Sequence, residues 1–117
     1  MPKERKPCFN CGRYCYTERH HVFGGANRKL SEQDGLVVDL CHACHNEPPN
    51  GVHFNKEKMD WLHKWGQDTW ELRKMIEDNV TREEARKLFM KRYGRNYIKD
   101  IGEPIYEKRK KRIREWC

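Results

Sequence analysis

The sequence predicts an α+β protein in which a two-stranded hairpin, stapled by a four-cysteine zinc site, is followed by a helical hairpin. Three observations lead there. Two Cys-x-x-Cys pairs, Cys8/Cys11 and Cys41/Cys44, stand about thirty residues apart. Strand-like stretches run between them, and a helical spacing of apolar residues takes over from about His53.

Composition explains why a staple is needed. Of 117 residues, 36% are hydrophobic and 37% charged, so an ordinary core would be thin for the length. Small domains poor in apolar area lean on a metal or on disulfides, and six cysteines are present to supply either. The length predicts a single domain, organised as a flexible basic arm (1–7), a zinc-stapled core (8–57), a helical extension packed on it (58–102) and a basic tail (103–117).

The start, Met1-Pro2-Lys3-Glu4-Arg5-Lys6, is charged and leads into no apolar stretch, and no run approaches the roughly 18 apolar residues of a membrane span. A cytoplasmic setting is therefore expected, where paired cysteines bind metal rather than form disulfides. The formal charge of +7 favours a polyanionic partner, nucleic acid above all.

Along the chain, Cys8-Phe9-Asn10-Cys11-Gly12 forms a knuckle whose glycine permits the tight turn around a metal. Cys41 and Cys44 supply the other half of a closed tetrahedral zinc site. Cys11-x-x-x-Cys15 is also a workable spacing; Cys15 and Cys117 are left as spare thiols. Tyr14 to Phe23 suits one strand and Leu36 to Leu40 a second, with a loop from Gly24 to Gly35 between them.

Pro48-Pro49 makes the segment after the second knuckle a loop. The first long helix then places Leu62, Trp65, Thr69, Leu72 and Ile76 on one face, with Trp61 and Trp70 off that stripe, and ends at Asp78-Asn79. Thr81-Arg82-Glu83-Glu84 reads as a capping box that starts a second helix. Its apolar face is Ala85, Leu88, Phe89 and Tyr93, and Gly94 stops it. The basic run Tyr106 to Arg114 suits either phosphate contact or a solvated tail.

Four of the six histidines fall within reach of the stapled hairpin: His20 and His21 at the end of the first strand, His45 after the second knuckle, and His53 at the start of the helical region. Neighbouring residues of a strand face opposite ways, so one histidine of the pair can face a metal and the other a substrate. Three imidazoles with an open position describe a catalytic rather than a structural metal site.

The arrangement Cys-x-x-Cys, then Glu18-x-His20-His21, then strand-Cys41-x-x-Cys44-His45 resembles the HNH endonuclease family of ββα-metal fold, in particular its small zinc-knuckle phage and bacterial forms. The resemblance covers roughly Cys8 to Asn55. It implies an enzyme that hydrolyses DNA phosphodiester bonds, nicking or cutting, in a bacterial or phage-infected cell, with 5′-phosphate and 3′-hydroxyl products.

Carried over residue by residue, the resemblance makes His21 the general base. His20, His45 and His53 become ligands of one catalytic divalent cation (Mg²⁺, Mn²⁺, Ni²⁺ or Zn²⁺), beside a structural Zn²⁺ on Cys8, Cys11, Cys41 and Cys44. The chain departs from the family at its middle asparagine, whose place before the second strand is held by Asp34-Gly35. Asn27 is the candidate substitute for orienting the base. Arg19, Arg28 and Lys29 flank the histidine pair and are candidate nucleic-acid contacts. Two other classes fit the same residues: a non-catalytic zinc-ribbon module that binds nucleic acid, and a phage structural or interaction protein.

Overall fold

A computed structural model describes residues 4–98. The chain is α+β, with two separate two-stranded antiparallel sheets. Strands β1 (Arg5–Pro7) and β2 (Tyr14–Tyr16) form the first, with Arg5 opposite Tyr16 and Pro7 opposite Tyr14. Strands β3 (Glu18–His21) and β4 (Val37–Leu40) form the second, with Glu18 opposite Leu40 and His21 opposite Val37. Two short helices, α1 (Arg28–Gln33) and α2 (His42–Asn46), precede two longer ones, α3 (Lys56–Asp78) and α4 (Arg82–Tyr93). Among the described residues no helix is long and apolar enough to cross a membrane.

Three local features differ from the sequence expectation. Arg5–Pro7, expected within a flexible arm, pairs with β2, because the knuckle reverses the chain and brings Cys8 N–H within 2.9 Å of the Arg13 carbonyl. The single strand expected from Tyr14 to Phe23 is two strands, split at Thr17 and serving different sheets. The expected loop from Gly24 to Gly35 contains α1, which is pinned through its one buried residue, Ser31. The Ser31 hydroxyl accepts from Phe23 N–H (3.2 Å) and donates to the Leu36 carbonyl (2.6 Å), closing α1 against the hairpin it connects. The tail 103–117 and the basic run within it lie outside the described residues.

The core gathers Val22, Phe23, Leu36, Val38 and Leu40 from the hairpin region with Leu62 of α3 and Phe89 and Tyr93 of α4. Phe23 is its hub, with ring centroids 4.8 Å from Tyr93, 5.6 Å from Phe89 and 5.7 Å from His63. Helix α3 comes so close that a methyl group on Gly66 would lie 2.6 Å from Val22 Cγ1 and 2.9 Å from Phe23 Cζ. Both long helices start on side-chain caps, Asn55 accepting from Lys58 N–H and Thr81 from Glu84 N–H, each at 3.1 Å. Gly94, at φ +76°, ends α4 in the left-handed conformation its position favours.

The buried face of α3 is not the apolar stripe the spacing suggests. Lys58, Trp61, Leu62, Gly66, Gln67 and Glu71 are buried, whereas Leu72 and Ile76 are exposed. Trp61, expected off the core stripe, belongs to the core, and Trp70 packs partly against it. On α4, Ala85, Phe89 and Tyr93 are buried as expected, but Leu88 is exposed.

The reason is a polar seam between the helices. Glu71, fully buried, receives Arg82 Nη1 at 3.0 Å, Arg86 Nε at 3.1 Å and Gln67 Nε2 at 2.8 Å. A buried carboxylate with two guanidinium partners and an amide is satisfied, so charge pairing rather than apolar area joins the outer turns of the helices.

Two stability outcomes follow from this packing. Glu71→Ala takes from Arg86 its carboxylate partner at the seam, while Arg82 keeps Asp68 at 2.9 Å, and is expected to lower unfolding free energy by about 3 kcal/mol in denaturant titration. Gly66→Ala gains helix propensity but crowds Val22 and Phe23, and a net loss of about 1 kcal/mol is expected in the same measurement.

Candidate metal centres

The first cluster is built from the two knuckles. One ligand atom from each of Cys8, Cys11, Cys41 and Cys44 lies within 4.8 Å of all the others, and Cys11 Sγ and Cys41 Sγ are 3.8 Å apart. Sulfurs at about 2.3 Å from a tetrahedral zinc are about 3.8 Å from one another, so the spacing matches an edge of that tetrahedron. Cys8, Cys41 and Cys44 are buried. Burial pushes the Cys41 thiol up to about 11. Cys8 moves the other way: burial opposes ionisation, but backbone N–H groups of Cys11, Cys41 and Asn10 outweigh it. Crowded thiolates are stabilised beside a cation, and the four cysteines could hold a metal ion such as zinc. Cys15, the competing ligand by spacing, lies on β2 outside the cluster.

The second cluster joins three elements. His20 comes from β3, His45 from α2, and His53 from a single 3-10 turn (Val52–Phe54) just ahead of α3. One nitrogen from each lies within 4.8 Å of the others, and the ring centroids are 4.7 to 5.1 Å apart. His45 Nε2 and His53 Nε2 face each other at 3.0 Å. His20 is buried, His45 half-buried and His53 exposed, so the cluster opens to solvent on the His53 side.

Two features suit the three imidazoles to holding a metal ion. His20 Nε2 is buried without a hydrogen-bond partner, a costly state for a polar atom. Burial, with His45 and His53 alongside, drives the His20 pKa down to about 3, which keeps its ring neutral with a lone pair to offer. Burial also lowers His53. The second feature is Glu18, which belongs to the motif read in the sequence but has no role assigned there. Its carboxylate lies 2.9 Å from His45 Nδ1 and 2.8 Å from His42 Nδ1, and Asn46 Nδ2 donates to it at 2.9 Å. A carboxylate only accepts, so Glu18 places the His45 proton on Nδ1 and turns Nε2 toward the cluster. Its bonds to His42 and His45 hold its own pKa down at about 2.

The other face of β3 carries different chemistry. His21 Nε2 is 3.0 Å from Glu32 Oε2 on α1, and Arg19 Nη2 donates to both Glu32 oxygens at 2.7 and 2.6 Å. The Arg19 bonds hold Glu32 ionised below the usual carboxylate range. Alternation along Glu18-Arg19-His20-His21 therefore puts Glu18 and His20 on one face and Arg19 and His21 on the other.

The candidate orienter Asn27 is not at this face. Its Nδ2 donates to the Tyr93 carbonyl at 3.1 Å, because it lies at the start of α1 while Glu32, more than a turn later, points back to β3. Asp34, in the place of the family's middle asparagine, is likewise engaged elsewhere. It accepts from Trp70 Nε1 (3.0 Å), Arg92 Nε (2.8 Å) and the Tyr93 hydroxyl, tying the end of α1 to α3 and α4. Arg19 is already paired with Glu32, whereas Arg28 and Lys29 are exposed on the first turn of α1.

No family model, curated protein or solved structure matches the chain.

Removing Glu18 tests whether it supports the histidine cluster. Glu18→Ala is expected to weaken Mn²⁺ or Ni²⁺ binding about 10- to 100-fold by titration calorimetry. Zinc bound by the four cysteines should remain at full occupancy in the same variant by elemental analysis, because the Glu18 carboxylate is engaged by His42, His45 and Asn46.

Proposed function

We propose that this chain is a metal-dependent endonuclease of the HNH kind, hydrolysing DNA phosphodiester bonds with His21 as general base and one divalent cation on His20, His45 and His53. The observation that carries the reading is the convergence of those three imidazoles, from three elements, on the strand that also bears His21 held by a carboxylate. A closed four-cysteine site beside an open three-histidine site divides structural from catalytic roles.

The residues then act as follows. With its Nε2 proton directed at Glu32, neutral His21 keeps a lone pair on Nδ1 to take a proton from the attacking water. Glu32 stabilises the imidazolium that forms, as an orienting carboxylate does for other catalytic histidines. Arg19 holds Glu32 ionised and in position from its far side.

His20, His45 and His53 would hold a divalent cation, whose chemistry there would be charge stabilisation of the phosphate and of the departing 3′ oxygen. Water attacks phosphorus, the bond to the 3′ oxygen breaks, and that oxygen leaves with a proton drawn from solvent. His20 and His21 project from opposite faces, but among the described residues β3 is paired only with β4, so a phosphate along its other edge can reach both. Arg28 and Lys29, exposed on α1 close in sequence to that edge, suit neighbouring phosphates.

The test is nicking of supercoiled plasmid with Mg²⁺, Mn²⁺ or Ni²⁺. The parent protein is expected to convert it to open circles, and His21→Ala to be slower by about 100-fold or more. Glu32→Ala is expected to slow nicking while leaving plasmid binding unchanged, since Glu32 acts through His21. A silent parent protein, or a His21→Ala variant as active as the parent, rules the reading out.

A further inference from the structure

The β1–β2 ribbon takes no part in either metal cluster beyond the knuckle at its turn, yet it carries the most exposed aromatic pair among the described residues. Tyr14 is 67% exposed and Tyr16 56%. Two residues apart on one strand, they share a face, and their cross-strand partners Pro7 and Arg5 share it with them. The Arg5 guanidinium lies 5.5 Å from the centre of the Tyr16 ring. Arg13, next in the chain to Tyr14, is exposed as well, and neither arginine forms an ion pair with a described residue. Glu4 is the only carboxylate from residue 4 to residue 16.

We propose that this ribbon face is a binding platform for single-stranded nucleic acid, with Tyr14 and Tyr16 stacking on unpaired bases and Arg5 and Arg13 meeting the phosphates. The proposal stands on the ribbon alone and does not need the cleavage reading. Charge complementarity selects a polyanion, and flat exposed rings select among polyanions. A duplex hides its base faces, so tyrosines gain stacking energy only from unstacked bases. Alternate strand residues are about 6.8 Å apart, close to two steps of about 3.4 Å along a stacked strand.

The platform is also tied to the second sheet from behind. Phe9 N–H donates to the Asp39 carbonyl at 2.7 Å, and Lys6, on the opposite face, reaches the Asp39 carboxylate at 4.0 Å, fixing the ribbon to β4. Little order then has to be imposed on binding.

The experiment is fluorescence anisotropy of the full chain with a labelled oligothymidylate and with a duplex of equal length, without added divalent ions. The single strand is expected to bind more tightly. Replacing both rings, Tyr14→Ala with Tyr16→Ala, should weaken it about tenfold or more and leave the duplex unaffected. Tyr14→Phe with Tyr16→Phe keeps the stacking faces and should bind as the parent does, which separates lost stacking from a disturbed ribbon. Arg5→Ala should reduce the slope of log affinity against log salt by about one. Equal affinity of the double alanine variant and the parent for the single strand overturns the proposal, as does a loss of the same size on the duplex. Plasmid nicking by the parent is a separate readout, so either reading can fail without the other.

Discussion

Everything in the hairpin half of the molecule depends on four sulfur atoms being drawn together from two knuckles. The first knuckle closes the β1–β2 ribbon, and the second carries β4 directly into α2. Bringing them together sets α2 against β3, which lets Glu18 reach His42, His45 and Asn46. Short sheets of three and four residues are marginal by themselves, and a cation shared by the four sulfurs would supply the cohesion they lack. The histidine cluster is thus downstream of the cysteine cluster: His45 follows Cys44 by one residue, and its position is set by the knuckle.

The second organising constraint is the two-residue period of β3. Four consecutive residues serve two sets of partners because alternate side chains point to opposite faces. Glu18 and His20 face the imidazole cluster; Arg19 and His21 face Glu32. Under the proposed mechanism this separates the metal ligand from the base while keeping them adjacent along the backbone. Under the proposed reading Glu32, a carboxylate on α1, would take the orienting role that the resemblance gives to an amide before the second strand, while Asp34 ties the end of α1 to the long helices.

Much of this was legible in the residues. The knuckle spacing pointed to the four cysteines, the glycine and proline breaks bounded β4 and the following loop, and the capping threonine and Gly94 marked the ends of α4. The three histidines stand out in the sequence beside the knuckles, and the structure brings their rings together. Other features were not legible there. Helices α1 and α2 are six and five residues long, too short for a 3.6-residue period to register. The buried face of α3 misled because its outer turns are joined to α4 by Glu71 and its arginines, a seam that a count of apolar residues cannot see. Glu18 was within reach of sequence reasoning, since strand alternation places it beside His20. Glu32 was not, because its approach to His21 exists only once α1 folds back onto the hairpin.

The central claim is that a sulfur-bound ion fixes the hairpin so that a second ion can be held by His20, His45 and His53. The most direct measurement is anomalous diffraction from crystals of the full chain soaked in manganese, recorded at the zinc and manganese edges. The account predicts two peaks, zinc among the four sulfurs and manganese among the three imidazole nitrogens. A zinc peak alone, with the imidazoles bare at saturating manganese, would contradict it.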